Sequence, residues 1–159
     1  MSQQRSAVTG LALRNNPELI DLGGLAGLTR VGSLRITGNA ALADLSGLSA
    51  LGTIEGDLLI APETDNFSGG RSWTAVEFPN AALRSLRGLG DITRVEGSVT
   101  ISGNPSLIDL AGLDRLTTIG VDLNIGLDDP FCVEDCPPPQ RNASLATLHG
   151  LAAACLPLP

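Results

Sequence analysis

Aliphatic residues fall along the chain at offsets of two and three, and the arrangement returns about every 24 residues. Val99 and Ile101 are followed by Asn104, Leu107, Leu110, Gly112, Leu113, Leu116 and Ile119, after which Leu123 and Ile125 begin again. The cycle from Leu34 and Ile36 through Asn39, Leu42, Leu45, Gly47, Leu48 and Leu51 to Ile54 is the same, and the one from Leu11 to Val31 is one residue shorter. A further cycle is interrupted. Leu58 and Ile60 open it, but Asn80, Leu83, Leu86, Gly88, Leu89, Ile92 and Val95 complete it only after surplus chain at 62–78. The shared template is L-x-I-x-x-N-x-x-L-x-x-L-x-G-L-x-x-L-x-x-I. Four cycles stand complete within residues 8–129, and Leu123 opens a fifth.

A unit this short cannot bury its own leucines, so each turn must stack on the next to form a solenoid. The alternating L-x-I segment predicts a strand, with successive strands parallel and about 4.8 Å apart. Leu11, Leu34, Leu58, Val99 and Leu123 then form one inner column, and Ile36, Ile60, Ile101 and Ile125 the next. The three-residue spacing that follows predicts short 3₁₀ or helical corners. The expected class is therefore an α/β repeat solenoid, a parallel β-helix occupying residues 1–159 as one domain. Asn16, Asn39, Asn80, Asn104 and Asp128 fall at one site per turn, where stacked side-chain amides can satisfy the backbone of the bend. The last turn needs a cover. Residues 130–159 are assigned to a helical cap, with Asn142 as its N-cap and Leu145, Leu148, Ala152 and Cys155 on one face.

Read over residues 8–129, this template resembles the receptor L domain, a right-handed β-helical relative of leucine-rich repeats. Such domains form ligand-binding lobes of receptor ectodomains and occur in secreted and surface proteins of microbes. The resemblance implies a non-catalytic recognition module, secreted or at the cell surface, that takes a protein, peptide or glycan.

Charge and composition narrow the partners. The net charge is −7, all ten basic residues are Arg, and no basic run occurs, so no nucleic-acid partner is expected. The longest apolar runs are far shorter than the roughly 20 residues of a bilayer span, so no membrane insertion is expected. With one His, no Tyr and no Lys, the means for general-base or Schiff-base chemistry are few. No cofactor is assigned.

Segment 62–78 is the least repeat-like. It holds Phe67, Trp73 and Phe78, three of the four aromatic residues, with Arg71 among them. Insertions of this length in a compact unit commonly carry function, and aromatics beside an Arg suit peptide side chains and sugar faces. Two readings stand: the loop binds, or Trp73 and Phe78 fold back to shield a solenoid edge. A second candidate surface is the outward side of the strands, in the pairs Ala12 and Arg14, Arg35 and Thr37, Leu59 and Ala61, Thr100 and Ser102, Asn124 and Gly126. The candidate ligand contacts are thus Phe67, Arg71, Trp73 and Phe78 with Arg35, Leu59 and Thr100.

Two other functions are carried forward. One is a structural solenoid whose open N-terminal edge, around residues 6–13, pairs with another chain, giving a monomer or an edge-to-edge dimer. The other is a carbohydrate-active enzyme. Asp21 and Asp44 share a repeat position with Asp109, and stacking brings neighbouring carboxylates to about 5 Å, the separation in retaining glycosidases. Ser85 holds that position in the interrupted cycle, which is the exchange expected of a turn cap.

Three cysteines allow three single bridges, with Cys132–Cys155 the first choice and Cys136–Cys155 and Cys132–Cys136 behind it. Any of them implies an oxidising compartment. Zinc on the three thiols and His149 fits no common spacing, so no metal is assigned and His149 is read as a surface residue of the cap. Asp128, Asp129, Glu134 and Asp135 lack the pattern of a calcium loop and are read as solvated surface.

Overall fold

The structure is a computed structural model, and it describes residues 7–64, 77–126, 142 and 145. β1 (Ala7–Val8) and β2 (Leu11–Arg14) open the first turn, β3 (Arg30–Val31) and β4 (Leu34–Thr37) the second, β5 (Thr53–Ile54) and β6 (Leu58–Ala61) the third. A hairpin of β7 (Glu63–Thr64) and β8 (Glu77–Phe78) follows. The fourth turn opens with β9 (Arg94–Val95) and β10 (Val99–Ile101), and the fifth with β11 (Thr118–Ile119) and β12 (Leu123–Ile125).

These strands make two parallel sheets, ordered β1-β3-β5-β9-β11 and β2-β4-β6-β10-β12, so the chain visits each sheet once per turn. The molecule is a parallel β-solenoid with turns of about 24 residues. Register follows the sequence template: Leu11 stands opposite Leu34, Leu34 opposite Leu58, Leu58 opposite Val99 and Val99 opposite Leu123. The central members of this column are fully buried, as are Ile36, Ile60 and Ile101 beside them. Between turns the backbone bonds are short, with Leu34 N–H donating to Asp57 O at 2.9 Å, Leu58 N–H to Ser98 O at 2.9 Å and Val99 N–H to Asp122 O at 2.8 Å.

The corners correct the α/β class. Among the described residues the only helical pieces are two 3₁₀ turns, Gly23–Leu25 and Ser46–Leu48. An α-helix is about 10 Å across, whereas the sheets repeat at about 4.8 Å, so a corner stacked directly on its neighbour has no room for one. The template glycine shows how tight the stacking is. A Cβ at Gly47 would overlap the carbonyl oxygen of Leu22, and one at Gly88 or Gly112 would overlap that of Leu45 or Leu86.

A second correction concerns the C-terminal helical cap, which nothing in the described chain supports. Asn142, expected as its N-cap, is instead a rung of the asparagine ladder. Asn104 N–H and Nδ2 both donate to Asn142 Oδ1, and Asn142 Nδ2 donates to Ile101 O at 3.0 Å. Leu145 N–H then donates to Asn142 O at 2.9 Å, as Leu107 N–H does to Asn104 O at 3.1 Å. Asn142 and Leu145 therefore hold the Asn and first Leu positions of the fifth turn. That rung was expected at Asp128, which lies outside the described residues, as do Leu148, Ala152 and Cys155.

Candidate functional site

The ladder organises one corner of the solenoid. Asn16 Nδ2 donates to Asn39 Oδ1 at 3.3 Å, Asn39 Nδ2 to Asn80 Oδ1 at 3.4 Å, Asn80 Nδ2 to Asn104 Oδ1 at 3.0 Å, and Asn104 Nδ2 to Asn142 Oδ1 at 3.4 Å. Each rung beyond the first also donates to a carbonyl of the preceding turn, Asn39 to Leu13 O and Asn104 to Ile60 O. Asn39, Asn80 and Asn104 are fully buried, so these bonds satisfy polar groups that water cannot reach.

Rungs adjacent in space are separated in sequence by 23, 41, 24 and 38 residues. The extra chain leaves at the same point in both long cases, between the L-x-I strand and the rung. In the other turns that link is short and its last residue is left-handed, at Asn15 (φ 53°), Gly38 (φ 71°) and Gly103 (φ 58°). The third turn reaches its rung through Pro79, whose ring forbids that conformation, because there the chain arrives from β8.

Beside this corner runs a groove of about 420 Å³ lined by Asn15, Pro17, Gly38, Ala40, Phe78, Pro79 and Ala81. These are Phe78 and the residues immediately before and after the first three rungs. Its lining is glycine, alanine and proline with Asn15, and Phe78, 43% exposed at the exit of the hairpin, is the one large side chain in it. No charged residue lines it. Of the aromatic set expected to bind, Phe78 reaches a concave surface; Phe67, Arg71 and Trp73 lie outside the described residues. The groove-lining residues other than Phe78 were not singled out from sequence. Their signal was there, in the small residue or proline that flanks every Asn of the first three cycles.

On the strands, Ala12, Arg35, Leu59, Thr100 and Asn124 form one outward row, set by register. Arg35 is exposed, Leu59 and Thr100 are half-buried, and none of the three lines the groove. The second row departs from expectation, since Thr37, Ala61 and Ser102 are buried. They stand where the strand turns into the ladder, and the rung of each turn donates to their carbonyls, Asn39 to Thr37 O, Asn80 to Ala61 O and Asn104 to Ser102 O. The first row is open along its length, the second only at its ends, where Arg14 is exposed and Gly126 half-buried.

The Asp21 position caps turns. Asp21 Oδ1 accepts Gly23 N–H at 2.9 Å, Asp44 Oδ1 accepts Ser46 N–H at 2.9 Å, Asp109 Oδ1 accepts Ala111 N–H at 3.0 Å, and Ser85 Oγ accepts Arg87 N–H at 3.1 Å. The Ser46 hydroxyl and then its backbone N–H hold the Asp44 carboxyl below its ordinary value. A depressed carboxylate stabilises the fold at neutral pH and loses that effect as acid titrates it through its folded pKa. The thermal midpoint of the parent is therefore expected to exceed that of Asp44→Ala near pH 7, with the gap closing as pH falls below about 4. A gap that does not change with pH would contradict the carboxylate's role.

A second, shorter row of cross-turn bonds was not read from sequence. Asp57 N–H donates to Ser33 Oγ at 3.2 Å, and Ser98 N–H to Asp57 Oδ1 at 2.9 Å. It was legible as Ser or Asp one residue ahead of each inner strand from Ser33 to Asp122.

Among the described residues no three His, Cys, Asp or Glu side chains come together as a metal site, and no helix is long and apolar enough to cross a membrane. Cys132, Cys136, Cys155, His149, Asp129, Glu134 and Asp135 lie outside them. No family model, curated protein or solved structure matches the chain.

Proposed function

We propose that this chain is a non-catalytic recognition module, akin to a receptor L domain, that binds a protein, peptide or glycan at the ladder corner. The observation that carries the reading is the uncharged groove at the exit of the first insertion, with Phe78 as the one aromatic residue lining it. Apolar concave sites with one large aromatic wall suit an aliphatic or proline-containing segment, or the face of a sugar ring. Two features add support. The 41-residue rung spacing opens beside the groove, since Phe78 and Pro79, where the surplus chain rejoins the third turn, are among its lining residues. The exposed aspartates nearest to a catalytic arrangement are already committed to turn caps.

A glycan and peptide array is the direct test, with each hit remeasured on Phe78→Ala and Arg35→Ala. Phe78→Ala is expected to weaken binding by about tenfold or more, as for a buried aromatic anchor, with an unchanged thermal midpoint. Unchanged affinity would remove the groove from the site. A loss confined to Arg35→Ala would move binding to the outward row of the strands.

A further inference from the structure

The lining of the groove forms two tracks across three turns. Asn15, Gly38 and Pro79 precede the rungs Asn16, Asn39 and Asn80, and Pro17, Ala40 and Ala81 follow them, so both tracks advance one turn at a time. With turns about 4.8 Å apart, the tracks run for about 10 Å, the length of about three residues of extended chain. Phe78, next to Pro79 in the chain, stands at the third turn.

Hydrogen-bonding groups are scarce along both tracks. Pro17 and Pro79 have no N–H. The carbonyl oxygens of Pro17 and Ala40 already accept Ala41 N–H at 3.2 Å and Ala82 N–H at 3.0 Å, and Asn15 N–H donates to Thr37 O at 3.0 Å. The one polar side chain is the Asn15 carboxamide, which is exposed and makes no hydrogen bond to the described residues.

This inventory separates a sugar from a peptide. A pyranose ring seated in the groove brings hydroxyls around its whole edge, more than one carboxamide can meet, and each buried hydroxyl left unmet weakens binding by about fivefold or more. An extended peptide asks for less. Apolar side chains need only apolar surface, the outward backbone groups stay in water, and a single peptide unit matches the donor and acceptor of a single carboxamide. Proline lowers the demand again, because it has no N–H and holds the chain extended before it binds. A charged residue would find no counter-charge among the lining residues to offset its desolvation.

We infer that the groove takes an uncharged, extended, proline-containing peptide segment of a partner protein, with the proline against the Phe78 ring, an aliphatic neighbour over Ala40 and Pro17, and Asn15 on a peptide unit. This assignment rests on the groove being the binding site and selects the peptide from the ligands named for it.

The test presents the 159-residue chain with an array of terminally blocked peptides whose central positions sample Pro, Ala, Val, Leu, Asp and Arg, beside a glycan array. Neutral members that pair proline with an aliphatic residue are expected to bind, and exchange of either for Asp or Arg to weaken them by at least about tenfold. Phe78→Ala and Asn15→Gly are each expected to weaken the same peptides by about tenfold with an unchanged thermal midpoint. Glycine is the exchange for Asn15 because that residue is left-handed, at φ 53°, so the carboxamide is lost without backbone strain. An array in which no proline-containing peptide binds, in which charged members bind as well as neutral ones, or in which Asn15→Gly binds like the parent would overturn the inference. Glycan hits alone, weakened by Phe78→Ala, would overturn it and leave the groove as the site. Peptide binding untouched by Phe78→Ala would overturn the site itself.

Discussion

Gly88→Ala is expected to cost on the order of 3–5 kcal/mol, enough to unfold a domain of ordinary stability. Two penalties coincide there. Its φ of +107° is left-handed, where a side chain is strained, and the added Cβ would overlap the carbonyl of Leu45 and the backbone N of Ser46. The obstacle is backbone, so no side-chain rotation relieves it, and the third turn would have to lift off the second. Gly24→Ala supplies the control, being the same exchange at the same template position with nothing above it. Urea unfolding of the two variants checks the claim. Similar losses at both sites would show that propensity, not stacking, sets the requirement.

The second large effect is expected at Asn80, the middle of the ladder. Its carboxamide donates to Ile36 O at 3.2 Å, Ala61 O at 3.3 Å and Asn104 Oδ1 at 3.0 Å, and its Oδ1 accepts Asn39 N–H at 3.1 Å. Leucine at this site would match its size and strand all of those buried partners at once. Each unsatisfied buried group costs about 1–3 kcal/mol, partly relieved by relaxation, so a loss on the order of 3–5 kcal/mol is expected for Asn80→Leu. Asn16→Leu should cost about 1 kcal/mol or less, because Asn16 is exposed and its partners can turn to water. The gradient from the end of the ladder to its middle is the signature. Equal costs at both rungs would mean that the asparagines act singly.

Much of this fold was legible because its cause is local and periodic. Leu34, Leu58 and Val99 share a column because each must hide from water against the same atoms one turn away, and period two marks such residues in any strand. The ladder was legible for the same reason up to Asn104. It failed at the fifth rung because the count ran at a fixed offset from Ile125 to Asp128, although the third turn had already placed its surplus chain between Ile60 and Asn80. Applied again, that exception leads past Cys132 and Cys136 to Asn142, Leu145, Leu148, Gly150 and Leu151, which match the template up to that leucine, after which Ala154 and Pro157 depart from it. The same residues suggest a helix because a corner with leucines every three positions is close to the three-and-four spacing of a helical face. Periodicity alone cannot separate the two. What decides between them is the space between turns, a tertiary quantity that the corner glycines report only indirectly. The groove was hidden for another reason. Apart from Phe78 its lining is mostly glycine, alanine and proline, which carry little chemistry in the sequence and gain meaning only when three turns place them side by side.

The central claim is one continuous ladder running through turns of unequal length, and its rungs can be observed individually. In nuclear magnetic resonance spectra of the isotope-labelled chain, the side-chain amide protons of Asn104 should show cross-relaxation to the side chains of Asn80 and Asn142 and exchange slowly with solvent. An Asn142 amide that exchanges at the rate of a free peptide and has no contact with Asn104 would contradict the claim.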